Sequence, residues 1–184
     1  MSVTIIIPRK IVEKAKKLGI DLESLALEAI LRELKLNPSE EAEVRLELAE
    51  KSLREAKNYI EKKDPTQASE KLYKAVEECS KILSQLHKLP EYERVAKEGR
   101  WWVQLLGKSA RKLSKILKEP RIEQTWAIAY DIHVWGFHEA KYRIEDIEAI
   151  LPLAIWLLNF TKQTIEKCQN SRSRTPPDTN SRGK

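Results

Sequence analysis

Proline interrupts this chain at positions 38, 65, 90 and 120, and between those breaks the apolar residues recur at helical spacing. After Asn37-Pro38-Ser39 the stripe Ala42, Leu46, Ala49, Leu53, Ala56 and Ile60 advances by alternating steps of four and three, the signature of one face of an α-helix. Asp64-Pro65 then supplies an N-cap followed by proline at the first helical position. The next stripe holds Ala68, Leu72, Ala75, Val76, Cys79, Ile82, Leu83 and Leu86. Two such helices joined by so short a turn make an antiparallel hairpin. Further helices are predicted over residues 91–117 with a kink at Gly107, over 122–139, and over 144–168 with a bend at Pro152. No glycine-rich phosphate loop interrupts them.

The front of the chain differs. Val3 to Ile7 is largely β-branched and stops at Pro8, which predicts a short strand. A helix follows over residues 9–18; Gly19 can close it, and Asp21 can cap a second helix reaching about Leu36. A lone apolar strand leaves its backbone donors and acceptors unpaired. With no second strand candidate in the chain, pairing with a second copy is expected, making the protein a homodimer through Val3 to Ile7.

Charged residues make up 34% of the chain against 41% apolar, so a real core coexists with a heavily charged surface. This Lys- and Glu-rich balance is favoured at high growth temperature. The net charge is +6, and residues 170–184 contribute to it with Arg172, Arg174, Arg182 and Lys184 against Asp178. That Ser/Arg/Pro-rich stretch has no apolar periodicity and is expected to be a disordered basic tail. Cys79 and Cys168 fall on apolar helix faces, as expected of buried thiols in a reducing cytosol. No charged n-region precedes an apolar h-region. The apolar run 149–160 is far shorter than the ~20 residues of a membrane span. A cytoplasmic protein without membrane attachment is expected.

The order strand, helix, Gly19-Ile20-Asp21, helix resembles a ribbon-helix-helix module, which implies a DNA-binding regulator if the outer strand face is polar. That face is Ser2, Thr4 and Ile6, without Arg, Lys, Asn or Gln, so dimerisation fits it better than base reading. The runs 38–43, 46–49 and 67–79, with Gly136-Phe137-His138-Glu139, resemble the archaeal PaREP family over nearly the whole folded chain. That resemblance implies an all-α, HEPN-like helical bundle, here preceded by one short N-terminal β-strand and a helix hairpin. The implied organisation is a dimerisation segment at 1–37, a bundle at 38–169 and a tail at 170–184. HEPN proteins include metal-independent ribonucleases as well as modules that bind nucleotides, RNA or protein partners.

Such ribonucleases carry an arginine four to six residues before a histidine, because histidine moves protons near neutral pH and a fixed cation stabilises the phosphorane. His87, His133 and His138 all lack that arginine. Asp131, His133 and His138 remain the candidate catalytic group, beside Trp126, Tyr130 and Phe137. On a regular helix, however, five residues turn through ~140°, which separates His133 from His138, whereas Asp131 and His138 share a face. Glu77 and Lys81 match a Glu-x-x-x-Lys pattern of some HEPN helices and equally an ordinary helix ion pair. Lys108, Arg111, Lys112, Lys115 and Lys118 form a basic stripe near Trp101 and Trp102, a candidate nucleic-acid or polyanion site. No metal site or cofactor is expected. A binding or interaction module is therefore favoured over a ribonuclease or nucleotide-transfer enzyme with a degenerate site.

Overall fold

A computed structural model describes residues 4–173 apart from positions 19 and 21. Helices α1 (Arg9–Lys17) and α2 (Leu22–Leu34) lead into α3 (Pro38–Glu61), α4 (Pro65–Leu86), α5 (Pro90–Glu98) and α6 (Val103–Ile116). Then come α7 (Arg121–Ile132), a π-helical segment His133–His138, α8 (Ile144–Glu148) and α9 (Leu151–Ser173). Among the described residues there is no β-strand. Residues 4–8 run without regular structure into α1, because nothing in the chain offers the partner backbone a strand requires. Val3 lies outside the described residues. The ribbon-helix-helix outline is thereby reduced to its two helices.

The start of α3 is fixed by a reciprocal capping box: Ser39 and Glu40 N–H donate to the Asn37 side chain, and Asn37 N–H donates to Glu40. Asp64 caps α4 through Gln67 N–H at 3.0 Å. The turns between helices share a motif that the proline pattern alone does not reveal. Lys63, Lys88 and Lys118 each adopt a left-handed backbone (φ 58°, 48° and 52°), two residues before Pro65, Pro90 and Pro120. The residue after each lysine donates back across the turn: Asp64 N–H to Tyr59 O, Leu89 N–H to Ser84 O and Glu119 N–H to Ser114 O. These are Schellman closures with lysine where glycine is usual, followed by proline opening or leading into the next helix.

Four predicted features move. The helix expected over 91–117 breaks at Gly99 (φ 75°), where Arg32 packs against the glycine, and Gly107 sits inside an unbroken α6. Pro152 stands at the second position of α9, where a missing N–H costs nothing, so it starts that helix and does not bend it. The helix after Ile122 turns into the π segment at His133. The last helix also runs to Ser173, through the first residues of the expected tail; residues 174–184 lie outside the described residues.

Helix α4 is the axis of the bundle. It packs on α3, α6, α7, the π segment and α9, and is buried nearly all round from Ala68 to Gln85. Leu72, Leu83, Leu106, Leu113, Ile122, Ile132, Ile147 and Leu157 fill the core about it, each such burial contributing about 1.5–3 kcal/mol. Its serines are tolerated because each bonds the preceding turn: Ser69 to Pro65 O, Ser80 to Val76 O and Ser84 to Ser80 O. Helices α1 and α2 join neither apolar cluster of the core. Ile5, Ile6, Ile11, Leu18, Leu25, Ile30 and Leu34 stay exposed along them.

Candidate functional site

Three polar constellations stand out. The first lies at the end of α7. The π winding bonds residue i to residue i+5, so His133 and His138 come together where an α-helix would separate them. Their Nε2 atoms are 3.0 Å apart. His133 Nδ1 lies 2.8 Å from Glu70 Oε2 on α4, which can only accept, so neutral His133 carries its proton on Nδ1. Its Nε2 is then the acceptor for His138 Nε2–H. Tyr73 stacks on the His133 ring at 4.0 Å, and Phe137 stacks at 5.6 Å. Gly136 lets the segment lie flat on α4: a Cβ there would meet Ser69 Oγ at 2.2 Å. The exposed His138 is held below its ordinary pKa by partial desolvation and by the neighbouring His133. Asp131 does not join this pair. It accepts from the Tyr142 hydroxyl, and that bond, with a little desolvation, pushes the tyrosine up to about 12.

The second constellation is the basic stripe. Lys108, Arg111, Lys112 and Lys115 line an open groove of about 380 Å³ together with Glu91 from α5. Lys112 Nζ binds Glu91 Oε1 at 2.7 Å. Lys108, Arg111 and Lys115 are exposed and have no carboxylate partner among the described residues. Lys118 follows α6 in its left-handed turn and is not part of the groove lining. The tryptophans offer no free stacking platform at its end. Arg100 covers the Trp102 ring at 3.5 Å, and Trp101 packs on the core.

The third constellation was not visible as a site in the sequence. Arg45 of α3, 2% exposed, donates to Glu28 through both terminal nitrogens (2.9 and 2.8 Å), to Glu41 at 2.9 Å and to Glu78 at 3.0 Å. Lys81, 1% exposed, meets Glu78 at 2.6 Å, Glu77 at 3.2 Å and Glu28 at 3.4 Å. Burial pushes Glu28 and Glu78 up, but Arg45 and Lys81 outweigh it and hold both carboxyls below the usual range. The same carboxylates raise Arg45 and Lys81 against their own desolvation. A cleft of about 190 Å³ opens beside this cluster, between α2, α3 and α5, lined by Glu28, Glu41, Arg45, Arg32, Tyr92 and Trp101 among others. The Glu77–Lys81 spacing was the available signal, and the structure makes it one edge of a buried network.

Among the described residues no group of three or more His, Cys, Asp or Glu converges as a metal cage, and no helix is long and apolar enough to cross a membrane. The sequence profile of the archaeal PaREP1/PaREP8 family matches residues 44–158. The chain belongs to that family. A crystal structure of a protein from Sulfolobus solfataricus is 31% identical, with a TM-score of 0.59 over 64% of this chain and 96% of that one. No curated protein matches the chain. The PaREP match contains the histidine pair with Glu70, all of α6, and Arg45 with Lys81. Glu28 and Glu41, which complete the buried network, and the apolar arm of α1 and α2 lie ahead of it.

Proposed function

We propose that this PaREP-family protein is a HEPN-like binding module that holds a polyanion, single-stranded RNA first, along α6 without base preference. The observation that carries the reading is the groove itself. Lys108, Arg111 and Lys115 face solvent without carboxylate partners among the described residues, and all three line the same open groove on one helix. Uncompensated cations beside a concave surface attract phosphates, and the release of condensed counterions makes such binding salt-dependent. Glu91 limits the site, because it already engages Lys112. The arm at 1–37 brings two copies of the bundle together, and the basic residues beyond Ser173 add unspecific attraction in the cytoplasm.

The test separates groove from tail. Fluorescence anisotropy with a labelled single-stranded RNA is measured at low and physiological salt for the full chain, a chain ending at Ser173, and that shorter chain carrying Arg111→Glu and Lys115→Glu. The shortened protein is expected to bind with a log–log salt slope of roughly −2, corresponding to about three phosphates at ~0.7 each. The double substitution is expected to abolish binding. Equal binding by both shortened proteins, or none by either, removes the α6 site.

Metal-independent cleavage is not part of this reading. Among the described residues His133 bonds Glu70 and His138, and no arginine contacts either histidine to stabilise a phosphorane. RNA incubated with EDTA-treated protein should remain intact. Cleavage lost on His138→Ala would replace the binding reading with an enzymatic one.

A further inference from the structure

The geometry between His133 and His138 points to a ligand that bridges them. Their Nε2 atoms are 3.0 Å apart, yet the ring centroids are only 4.5 Å apart, with the planes at 76°. Two rings aimed head-on along one hydrogen-bond axis would place their centroids farther apart. The nitrogen axes are therefore bent away from the line that joins them. A nitrogen–nitrogen distance of 3.0 Å is also what two metal–nitrogen bonds of about 2.1 Å meeting near 90° produce.

The surroundings match how proteins prepare an imidazole ligand. Glu70 Oε2 takes the Nδ1 proton of His133, which leaves the Nε2 lone pair facing His138. A carboxylate behind a histidine is the usual means of fixing the tautomer and raising the basicity of a metal ligand. Tyr73 clamps the ring at 4.0 Å, and Gly136 seats the π segment against Ser69, so the ligand is held on a rigid element and not on a loop.

We propose that His133 Nε2 and His138 Nε2, the latter once its proton has moved to Nδ1, bind one first-row transition-metal dication in adjacent coordination positions, and that Glu70 is the positioning carboxylate. Imidazole nitrogen suits these ions, and sites for Mg²⁺ or Ca²⁺ are built from oxygen. Among the described residues no third protein ligand converges, so the remaining positions belong to water or to an external ligand. The site is exposed on the His138 side and does not share residues with the α6 groove.

The test uses the full, untagged chain after EDTA treatment and dialysis, titrated with Ni²⁺ by calorimetry and with Co²⁺ by visible absorption. One ion per chain is expected at saturation. His138→Ala should lose that binding, and Glu70→Gln should weaken it about tenfold or more by releasing the tautomer. His87→Ala and Cys168→Ser, which alter the third histidine and the less buried thiol, should leave it unchanged. Titration with no one-to-one endpoint, or undiminished affinity in His138→Ala, overturns the site. Circular dichroism of each variant separates lost ligands from lost fold, and the exposed position of His138 makes that substitution structurally mild.

Discussion

Arg45 shows how one side chain can tie to the bundle a helix, α2, that joins neither apolar cluster of the core. Its guanidinium takes carboxylates from α2, α3 and α4, so Arg45→Ala leaves Glu28, Glu41 and Glu78 facing one another with a cation removed. Breaking a buried pair from one side costs about 3–5 kcal/mol, and a urea midpoint should register that loss. Acid should have a related effect. Glu28 and Glu78 titrate lower in the folded chain than their ordinary value of 4.5, so the stability they lend is complete above that value. It drains away as pH falls through the lower folded values, while the unfolded chain takes up protons first. Urea midpoints at pH 7 and pH 3 should fall less in Arg45→Ala than in the parent, because the substituted protein has already lost the cation that depresses both carboxyls. None of this was legible beforehand. Arg45 sits one residue before Leu46 in an otherwise clean apolar stripe, and its partners come from positions 17 residues earlier and 33 later. A charge beside a stripe is usually solvated, and this one is buried by its partners on α2, α3 and α4.

At the level of elements, the proline breaks and stripes predict α3 and α4 almost residue by residue, because capping and periodicity are local properties. Where the reading failed, the deciding interaction was not local. In the π segment Gly136 lies directly against Ser69 of α4, and nothing in residues 133–138 announces that contact. The consequence for the candidate site is direct, since the two histidines assigned to different faces share one and Asp131 turns to Tyr142. The lysine closures lead to a different prediction. Lys88 holds φ 48°, a conformation that costs a side chain roughly 1 kcal/mol and glycine almost nothing. Lys88→Gly should therefore raise the melting temperature modestly, with a gain of about 0.5 kcal/mol after the extra chain entropy of glycine is counted. A fall in stability would mean that the Lys88 side chain contributes more than its backbone strain costs.

For the molecule as a whole, the bundle is complete without its first 34 residues, since both apolar clusters of the core are built from α3 onward. The arm is instead where large apolar side chains remain in water: Ile6 is 92% exposed and Leu34 is 62% exposed. A chain lacking residues 1–8 should run as a monomer in light scattering if the arm pairs two copies, while its thermal unfolding stays cooperative. If the shortened chain is still a dimer, the interface lies elsewhere. The all-helical class and the family resemblance were readable from the sequence. The strand was misread from it: residues 4–8 hold no regular structure, because a strand is a relation between two backbones and one chain supplies only half of it. A different consequence follows from the placement of α4, walled on its sides by α3, α6, α7, the π segment and α9. No single neighbour can lift away and wet its backbone. In deuterated buffer the amides of α4 should therefore exchange only when the entire bundle opens, at the global unfolding free energy, while those of α1 and α2 exchange through far smaller local openings.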